Sequence, residues 1–162
     1  IDVGTGAGFP GLPVRILEPS IRLTLLDALQ KRITFLQGVC DDLGLDNVAC
    51  VHGRAEEFAQ AHRESFDLVT SRAVADLPLL SELCLPLVKP GGAFLAMKSV
   101  ECGPELERAA RAIELLGGRV ERTADYQIPG TEVVHRLVII KKVAQTPKKY
   151  PRAFAKIKKN PL

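Results

Sequence analysis

The sequence predicts an α/β fold in which helices cover both faces of a mostly parallel sheet that ends in an antiparallel hairpin. Three observations support this prediction. Strand-like and helix-like segments alternate along most of the chain, which is typical of parallel strands joined by helices. A glycine-rich segment directly follows the first strand. Two consecutive strand-like segments, joined by a short turn, then end the alternation.

The alternating part of the chain contains five predicted strands and five predicted helices. Short apolar runs predict strands at 1–3, 22–27, 47–51, 66–70 and 93–97. Apolar residues at helical spacing predict helices at 10–18, 29–43, 55–61, 77–87 and 105–116. Glycine or proline marks the ends of these helices, as at Gly44, Pro90 and Gly117.

The pattern changes after Gly118. Segments 119–127 and 133–142 both have the character of strands, and the turn signal between them predicts an antiparallel hairpin. A parallel sheet that ends in a hairpin is the layout of Rossmann-like class I methyltransferases, whereas dinucleotide-binding domains usually remain parallel. Residues 1–143 are therefore predicted to form one methyltransferase domain. Residues 144–162, rich in proline and lysine, are predicted to form a basic tail that is extended or disordered when free.

The composition is that of one globular domain without export or metal-binding signals. The chain has 162 residues, of which 46% are hydrophobic and 25% charged, and no apolar run is long enough for a membrane helix. The four cysteines form no C-x-x-C pair and the three histidines are scattered, so we expect reduced thiols and no metal site. Because Ile1 opens directly on a strand, we expect the natural amino terminus to be missing.

Charge is distributed unevenly along the chain. The net charge is +3, but residues 1–140 carry 14 basic and 19 acidic side chains, whereas residues 141–162 carry eight basic side chains and no acidic one. An acidic body with a basic tail indicates contact between the tail and a polyanion. A tail that only confers solubility is the alternative at this point.

The strongest local feature is the segment D-V-G-T-G-A-G-F-P-G that runs from Asp2 to Gly11. Glycines allow tight turns and let a ligand approach the backbone without a Cβ in the way. A cofactor can then lie over the loop at the carboxyl end of the sheet. Asp27 ends the next predicted strand, where a carboxylate can accept hydrogen bonds from both hydroxyls of a ribose.

Two cofactors are compatible with this loop. The pattern G-x-G-x-x-G beginning at Gly6 matches the dinucleotide fingerprint, whereas D-x-G-x-G-x-G beginning at Asp2 matches the loop of methyltransferases. The second is favoured because Asp2 is placed to hold the amino group of a methionine moiety. Counting the dinucleotide pattern from Gly4 also puts Phe9 where the third glycine should be. The turn V-K-P-G-G at 88–92 resembles one found in many class I methyltransferases.

Six segments together resemble a single family. They are D-V-G-T-G-A-G-F-P-G at 2–11, L-L-D-A-L-Q-K-R at 25–32, R-A-E-E-F at 54–58, F-D-L-V-T-S-R-A at 66–73, H-R-L-V-I-I-K-K at 135–142 and T-P-K-K-Y-P-R at 146–152. The chain resembles, over essentially its whole length, the RsmG (GidB) family of bacterial guanine-N7 methyltransferases of small-subunit ribosomal RNA. The family normally carries a further amino-terminal helical segment. Ala155 and Ile157 stand where it usually has glycine and proline.

The resemblance implies S-adenosyl-L-methionine as the cofactor and small-subunit ribosomal RNA, or the assembling subunit, as the partner. It implies that Gly4 and Phe9 contact the cofactor, that Ala55 and Glu56 flank its adenine, and that Arg72, just past the fourth strand, lies beside it. We expect a monomeric cytoplasmic enzyme that does not associate with membranes. The complete predicted cofactor-binding set is Asp2, Gly4, Gly6, Gly8, Phe9, Asp27, Ala55, Glu56 and Arg72.

No catalytic residue is predicted. Guanine N7 presents an unprotonated lone pair, so no general base is needed, and methyl transfer is an in-line displacement that depends on proximity and alignment. Neither an N/D-P-P-Y motif nor a cysteine follows the fourth strand, which disfavours methylation of an exocyclic adenine nitrogen or of a pyrimidine carbon. Salt-sensitive contact with RNA is expected from Lys98, Arg136, Lys148, Lys149 and Arg152.

Three alternatives stay open on the sequence alone. A methyltransferase acting on a small molecule or a protein would share the cofactor loop but have no use for a basic tail. An NAD-binding oxidoreductase domain would bind a dinucleotide instead. An RNA-binding scaffold without catalysis would retain neither cofactor.

Overall fold

The computed structural model describes all 162 residues and contains seven strands and six helices. The strands are β1 (Asp2–Val3), β2 (Leu23–Asp27), β3 (Val48–His52), β4 (Phe66–Arg72), β5 (Val88–Ser99), β6 (Gly118–Gln127) and β7 (Val134–Lys142). The helices are α1 (Gly11–Leu17), α2 (Gln30–Asp42), α3 (Ala55–Ala61), α4 (Leu77–Cys84), α5 (Gly103–Leu115) and α6 (Phe154–Lys159). None of the helices combines the length and hydropathy that crossing a bilayer requires.

The seven strands form one sheet in the order β3-β2-β1-β4-β5-β7-β6. Neighbouring strands from β3 to β5 are parallel, and β7 is antiparallel to both β5 and β6. The prediction of a mostly parallel sheet with an antiparallel carboxyl-terminal hairpin is confirmed. Successive strands are added toward one edge of the sheet from β1 to β3 and toward the other edge from β4 onward. The border between β1 and β4 is therefore the position where open α/β sheets bind ligands.

Helices cover the sheet on both faces and divide the core in two. The larger part packs β4, β5 and β7 against α4 and α5, with Val69, Phe94 and Ile140 at its centre. The smaller part lies under α1 and α2 and includes Leu25 and Leu36. Because both faces of the sheet are covered, consecutive residues of a strand can both be buried, as Leu25 and Leu26 of β2 are.

Three elements differ most from their predicted bounds, and one of them is β5, which begins at Val88 and includes the predicted turn at 88–92. Helix α4 ends at Cys84 and gives way to a single 3₁₀ turn at Leu85–Leu87, because Pro86 lacks the N–H that a continuing helix would need. Strand β4 runs two residues further than predicted. Arg72 is therefore the last residue of the strand and not the residue beyond it, and it pairs in register with Met97.

The predicted tail is not extended or disordered, and that prediction is wrong. It ends in α6, whose Ile157 is fully buried in the larger core. The Arg63 guanidinium donates to the carbonyl oxygens of Thr146, Pro147 and Tyr150. These contacts join the first part of the predicted tail to the connection between α3 and β4. The segment is therefore part of the folded domain.

Two ion pairs also hold this segment. Glu82 on α4 is fully buried and receives the Arg152 guanidinium at 2.7 to 3.1 Å as well as its backbone N–H. Lys142 at the end of β7 lies 3.2 Å from the Glu64 carboxylate and donates to the carbonyl of Leu85. Burial lowers the pKa of Lys142 to about 8, against the raising effect of Glu64. The basic composition of the segment is thus partly structural.

Candidate functional site

A cavity of about 240 Å³ lies at the carboxyl ends of β1, β2 and β3. Its lining includes Gly4 from the first loop, Asp27 from the end of β2, and Gly53 and Glu56 from the β3–α3 connection. Val74 from the loop after β4 closes one side. This is the position at which ligands bind open α/β sheets, and it brings together residues that are far apart in the sequence.

The first loop presents bare backbone to this cavity. Gly4 has a φ of +68° and faces Val74 so closely that a Cβ would overlap the Val74 side chain. No atom lies within 4 Å of the place where a Cβ of Gly6 would stand, so the space above that residue is open. Gly8, the third predicted glycine of the loop, is buried against Leu12 and does not line the cavity.

Asp27 faces the cavity and also holds the loop. Its Oδ2 accepts hydrogen bonds from the N–H of Gly6 at 3.0 Å and from Arg32 at 3.1 Å, and its Oδ1 accepts one from the N–H of Leu29 at 2.9 Å. The residue is 4% exposed. The carboxylate is therefore fixed at the mouth of the cavity before any ligand arrives.

Asp2 occupies a different position from the one that its predicted role requires. It is fully buried, does not line the cavity, and accepts hydrogen bonds from Thr5, Gly11 and Thr70 at 2.7 to 3.2 Å. Burial raises the pKa of Asp2, and these hydrogen bonds act in the opposite direction. In this structure Asp2 fixes the shape of the loop and joins it to β4.

The far wall of the cavity contains a residue that the sequence analysis missed. Phe154 of α6 lines the cavity, and the Arg54 guanidinium lies 4.3 Å from the centroid of its ring. Arg54 in turn pairs with the buried carboxylate of Glu56 at 2.5 Å. Ala55 lies between them in the sequence and also lines the cavity. The predicted adenine-flanking residues are therefore next to the carboxyl-terminal helix.

Phe9 and Arg72 lie outside the cavity but next to each other. The Arg72 guanidinium is 5.8 Å from the centroid of the Phe9 ring, and both side chains are exposed. This distance is compatible with a cation–π contact. The pair connects the first loop to the end of β4.

The five basic residues predicted to contact RNA have different environments. Lys98 pairs with Glu105 at 2.6 Å, Arg136 with Asp125 at 2.6 Å, and Arg152 with Glu82. Lys148 and Lys149 are exposed and form no ion pair. Helix α6 carries further exposed lysines, at Lys156, Lys158 and Lys159.

A larger depression of about 710 Å³ lies at the opposite edge of the sheet, beside Ile1. It is lined by the amino-terminal ends of β2 and β4, including Leu23 and Phe66. None of the predicted site residues borders it. Because ligands of parallel α/β sheets bind at the carboxyl ends of the strands, the smaller cavity is the candidate site.

We expect Phe154→Ala to weaken binding of S-adenosylhomocysteine about 5- to 30-fold, because the cavity loses an apolar wall worth roughly 1–2 kcal/mol. Titration calorimetry measures this, and circular dichroism checks that the variant is folded. Phe35→Ala is the matched control, since Phe35 is an exposed ring on α2 that does not line the cavity. Equal affinities for the two variants would exclude Phe154 from the site.

These residues fit an adenosyl group attached to a methionine. Apolar walls at Val74 and Phe154 suit a purine ring, the carboxylate of Asp27 suits ribose hydroxyls, and the open backbone at Gly6 leaves room for the amino-acid portion. The cavity volume is below the range of roughly 300–1,000 Å³ usual for a whole ligand, so it matches the adenosine portion.

Comparison with known proteins gives consistent findings. The family model described as "GidB: rRNA small subunit methyltransferase G" matches residues 1–134. A protein of Clostridium botulinum named "Ribosomal RNA small subunit methyltransferase G" is 53% identical over 164 residues, which cover 100% of this chain and 69% of the relative. A protein of the same name from Lactobacillus acidophilus is 47% identical over 163 residues, covering 99% and 68%.

A solved structure provides a comparison of the fold. The structure of a SAM dependent methyltransferase from Aquifex aeolicus superposes with a TM-score of 0.60 at 19% sequence identity. The match covers 86% of this chain and 79% of that one. At this identity the likeness concerns the fold alone.

Proposed function

Because the chain belongs to the GidB family of S-adenosylmethionine-dependent rRNA small subunit methyltransferases, we propose that it methylates N7 of a guanine in small-subunit ribosomal RNA. The matches to this family confirm the resemblance found in the sequence. The observation that carries the proposal is the cavity at the reversal point of the sheet, which joins bare backbone at Gly4 to the carboxylate of Asp27. An oxidoreductase function is not favoured.

The proposed cofactor contacts follow from the cavity. Ala55, Glu56 and Phe154 hold the adenine, and Asp27 accepts hydrogen bonds from the ribose. The backbone of Gly4 and Gly6 lies along the methionine portion of the cofactor. Phe9 and Arg72 lie at the end of that portion that is farther from the adenine. Asp2 and Gly8 act as positioning residues, since both are buried and shape the loop. The bound cofactor supplies an electrophilic methyl group.

The residues of this chain position the cofactor and the guanine, and they do not transfer a proton. An unprotonated guanine N7 needs no base, and a methyl displacement gains most from holding its reactants in line at close distance. The ion-paired frame around the cavity, Asp27 with Arg32 and Glu56 with Arg54, keeps the walls rigid.

We expect Asp27→Ala to weaken S-adenosylhomocysteine binding by about 1–3 kcal/mol, through lost hydrogen bonds to the ribose and a loosened Gly6. Calorimetry checks the result. Arg32→Ala is the control, because it removes one partner of Asp27 but leaves the carboxylate and its bonds to Gly6 and Leu29. An Asp27→Ala affinity equal to that of Arg32→Ala would contradict the ribose contact.

We propose that the RNA is held by the exposed lysines of the carboxyl-terminal segment, Lys148 and Lys149 together with Lys156, Lys158 and Lys159. Each phosphate contact adds to the salt dependence of binding. Lys98, Arg136 and Arg152 already have acidic partners, so their contribution is smaller. The partner is small-subunit ribosomal RNA or the assembling subunit, and the enzyme acts as a monomer in the cytoplasm.

The proposal is tested by incubating the protein with small ribosomal subunits, or with naked small-subunit RNA, and a methyl-labelled donor. Nuclease digestion and mass spectrometry should find the label in 7-methylguanine at one nucleotide. Label in another base, in protein or in a small molecule would contradict it. Lys148→Glu with Lys149→Glu should raise KM for RNA with little effect on cofactor affinity. Deleting residues 144–162 is a poor test, because it removes Phe154 and the buried Ile157.

A further inference from the structure

Three residues at the carboxyl-terminal edge of the sheet form a row outside the cofactor cavity. Ser99, His135 and Tyr126 are direct neighbours across β5, β7 and β6. Directly paired residues project from the same face of a sheet. The rings of Tyr126 and His135 lie 5.7 Å apart at an interplanar angle of 34°. We call these three residues the edge row.

Arg72 connects the edge row to the first loop. It pairs with Met97, two residues before Ser99 on the same strand, so it lies on the same face. Its guanidinium is 5.8 Å from the centroid of the Phe9 ring. Burial raises the pKa of Tyr126, and the charge of Arg72 is near enough to oppose this shift. Two ring-containing pairs, Phe9 with Arg72 and His135 with Tyr126, therefore lie at the same end of the sheet, with Arg72 on the face that carries the edge row.

The two rings of the edge row have no evident structural task. Neither Tyr126 nor His135 belongs to either part of the hydrophobic core, and both are half-buried. The chain has only two tyrosines and six phenylalanines. An aromatic pair left at the rim beside a cofactor site offers flat faces on which a base can stack.

We propose that Tyr126 and His135 form the stacking platform for the target guanine, which leaves its own stack in the RNA to reach them. This inference rests on the proposed function and assigns the substrate side of the same site. Enzymes that modify a base must bring it out of its stack into a pocket. The Ser99 hydroxyl, exposed at the end of the row, can donate to or accept from the base edge.

The chemistry of the step favours aromatic faces at this point. Guanine N7 uses its lone pair to form the new bond to the methyl carbon, and the methyl–sulfur bond breaks with its electrons on sulfur. No proton moves, and the positive charge passes from sulfur to the purine. A ring face attracts a cation, so the platform binds the charged purine more strongly than the neutral one. Stabilisation that grows toward the transition state raises kcat.

The first test separates stacking from general RNA binding. Tyr126→Leu should lower kcat on the RNA substrate roughly 10- to 100-fold, with KM for RNA changed less than about threefold. Tyr126→Phe, which restores the ring, should recover most of this loss. S-adenosylhomocysteine affinity, measured by calorimetry, should not change. Phe35→Leu, an exposed ring on α2, is the control.

A second test does not depend on turnover. The chain has no tryptophan, so Tyr126→Trp introduces a single indole at the platform, and small-subunit RNA added with S-adenosylhomocysteine should quench its fluorescence. Phe35→Trp should show little quenching. If the wild type methylates ribosomal RNA and Tyr126→Leu does so with an unchanged kcat, Tyr126 is not part of a stacking platform. The proposed function is then unaffected. A wild type that methylates no ribosomal RNA overturns the proposed function itself.

Discussion

Replacing Arg152 with alanine should lower the free energy of unfolding by about 3–5 kcal/mol, because it leaves the buried carboxylate of Glu82 without its ion-pair partner and with a single hydrogen bond from the backbone N–H of residue 152. Glu82 is fully buried, and every hydrogen bond that its carboxylate receives comes from Arg152. A typical domain has only about 5–15 kcal/mol of stability in total. Urea denaturation followed by circular dichroism gives the difference.

The loss should extend to the cofactor site. Arg152 stands just before α6, so its removal frees the helix that carries Phe154 to the cavity wall. Arg108→Ala is the control, since its pair with Asp76 is exposed on both sides and 3.6 Å long; exposed pairs contribute little. A matched apolar pair, Arg152→Met with Glu82→Leu, should recover most of the stability. Arg152→Ala as stable as Arg108→Ala would show that the ion pair is not structural.

The second large effect is expected at Gly117, which ends the turn between α5 and β6. Gly117→Ala should cost about 3 kcal/mol or more, from a positive φ and from overlap with a neighbouring backbone atom. The φ is +82°, and a Cβ there would overlap the carbonyl oxygen of Ala144. Because that atom belongs to the backbone, no side-chain rotation can relieve the contact.

Gly130 provides a matched control for this variant. It has a similar φ of +77°, but nothing lies within 4 Å of the position of a Cβ. Gly130→Ala should therefore show the cost of the backbone conformation alone, about 1 kcal/mol. Urea denaturation of both variants measures the difference. If the two substitutions cost the same, the approach of Ala144 to Gly117 is not as close as described.

Local sequence patterns were sufficient to predict the sheet and part of the cavity lining. The alternation of apolar runs and helical spacing predicts the strands, and the glycine loop with Asp27 locates Gly4 and Asp27 where they line the cavity. These features succeed because each depends on residues close together in the chain. The rule that carboxyl ends of parallel strands share one edge then brings them together.

The missed features depend on contacts between distant parts of the chain. Asp2 has the right position in the sequence to hold a ligand, but Thr70 from β4 and the loop itself engage its oxygens. Phe154 and Ile157 lie three positions apart on α6. That helix has only six residues and is too short to show a clear periodicity in the sequence. Arg152 resembles a solvated tail charge until the fold places Glu82 against it.

The position of Phe154 in the chain has a consequence for biosynthesis. The rest of the cavity lining, from Val3 to Leu83, leaves the ribosome earlier, whereas α6 follows only after all seven strands. A nascent polypeptide that ends between β7 and α6 has every strand of the sheet but lacks the part of the pocket that Phe154 supplies. The full affinity for the methyl donor therefore arises late in translation, and we expect products that end before α6 to bind the donor more weakly.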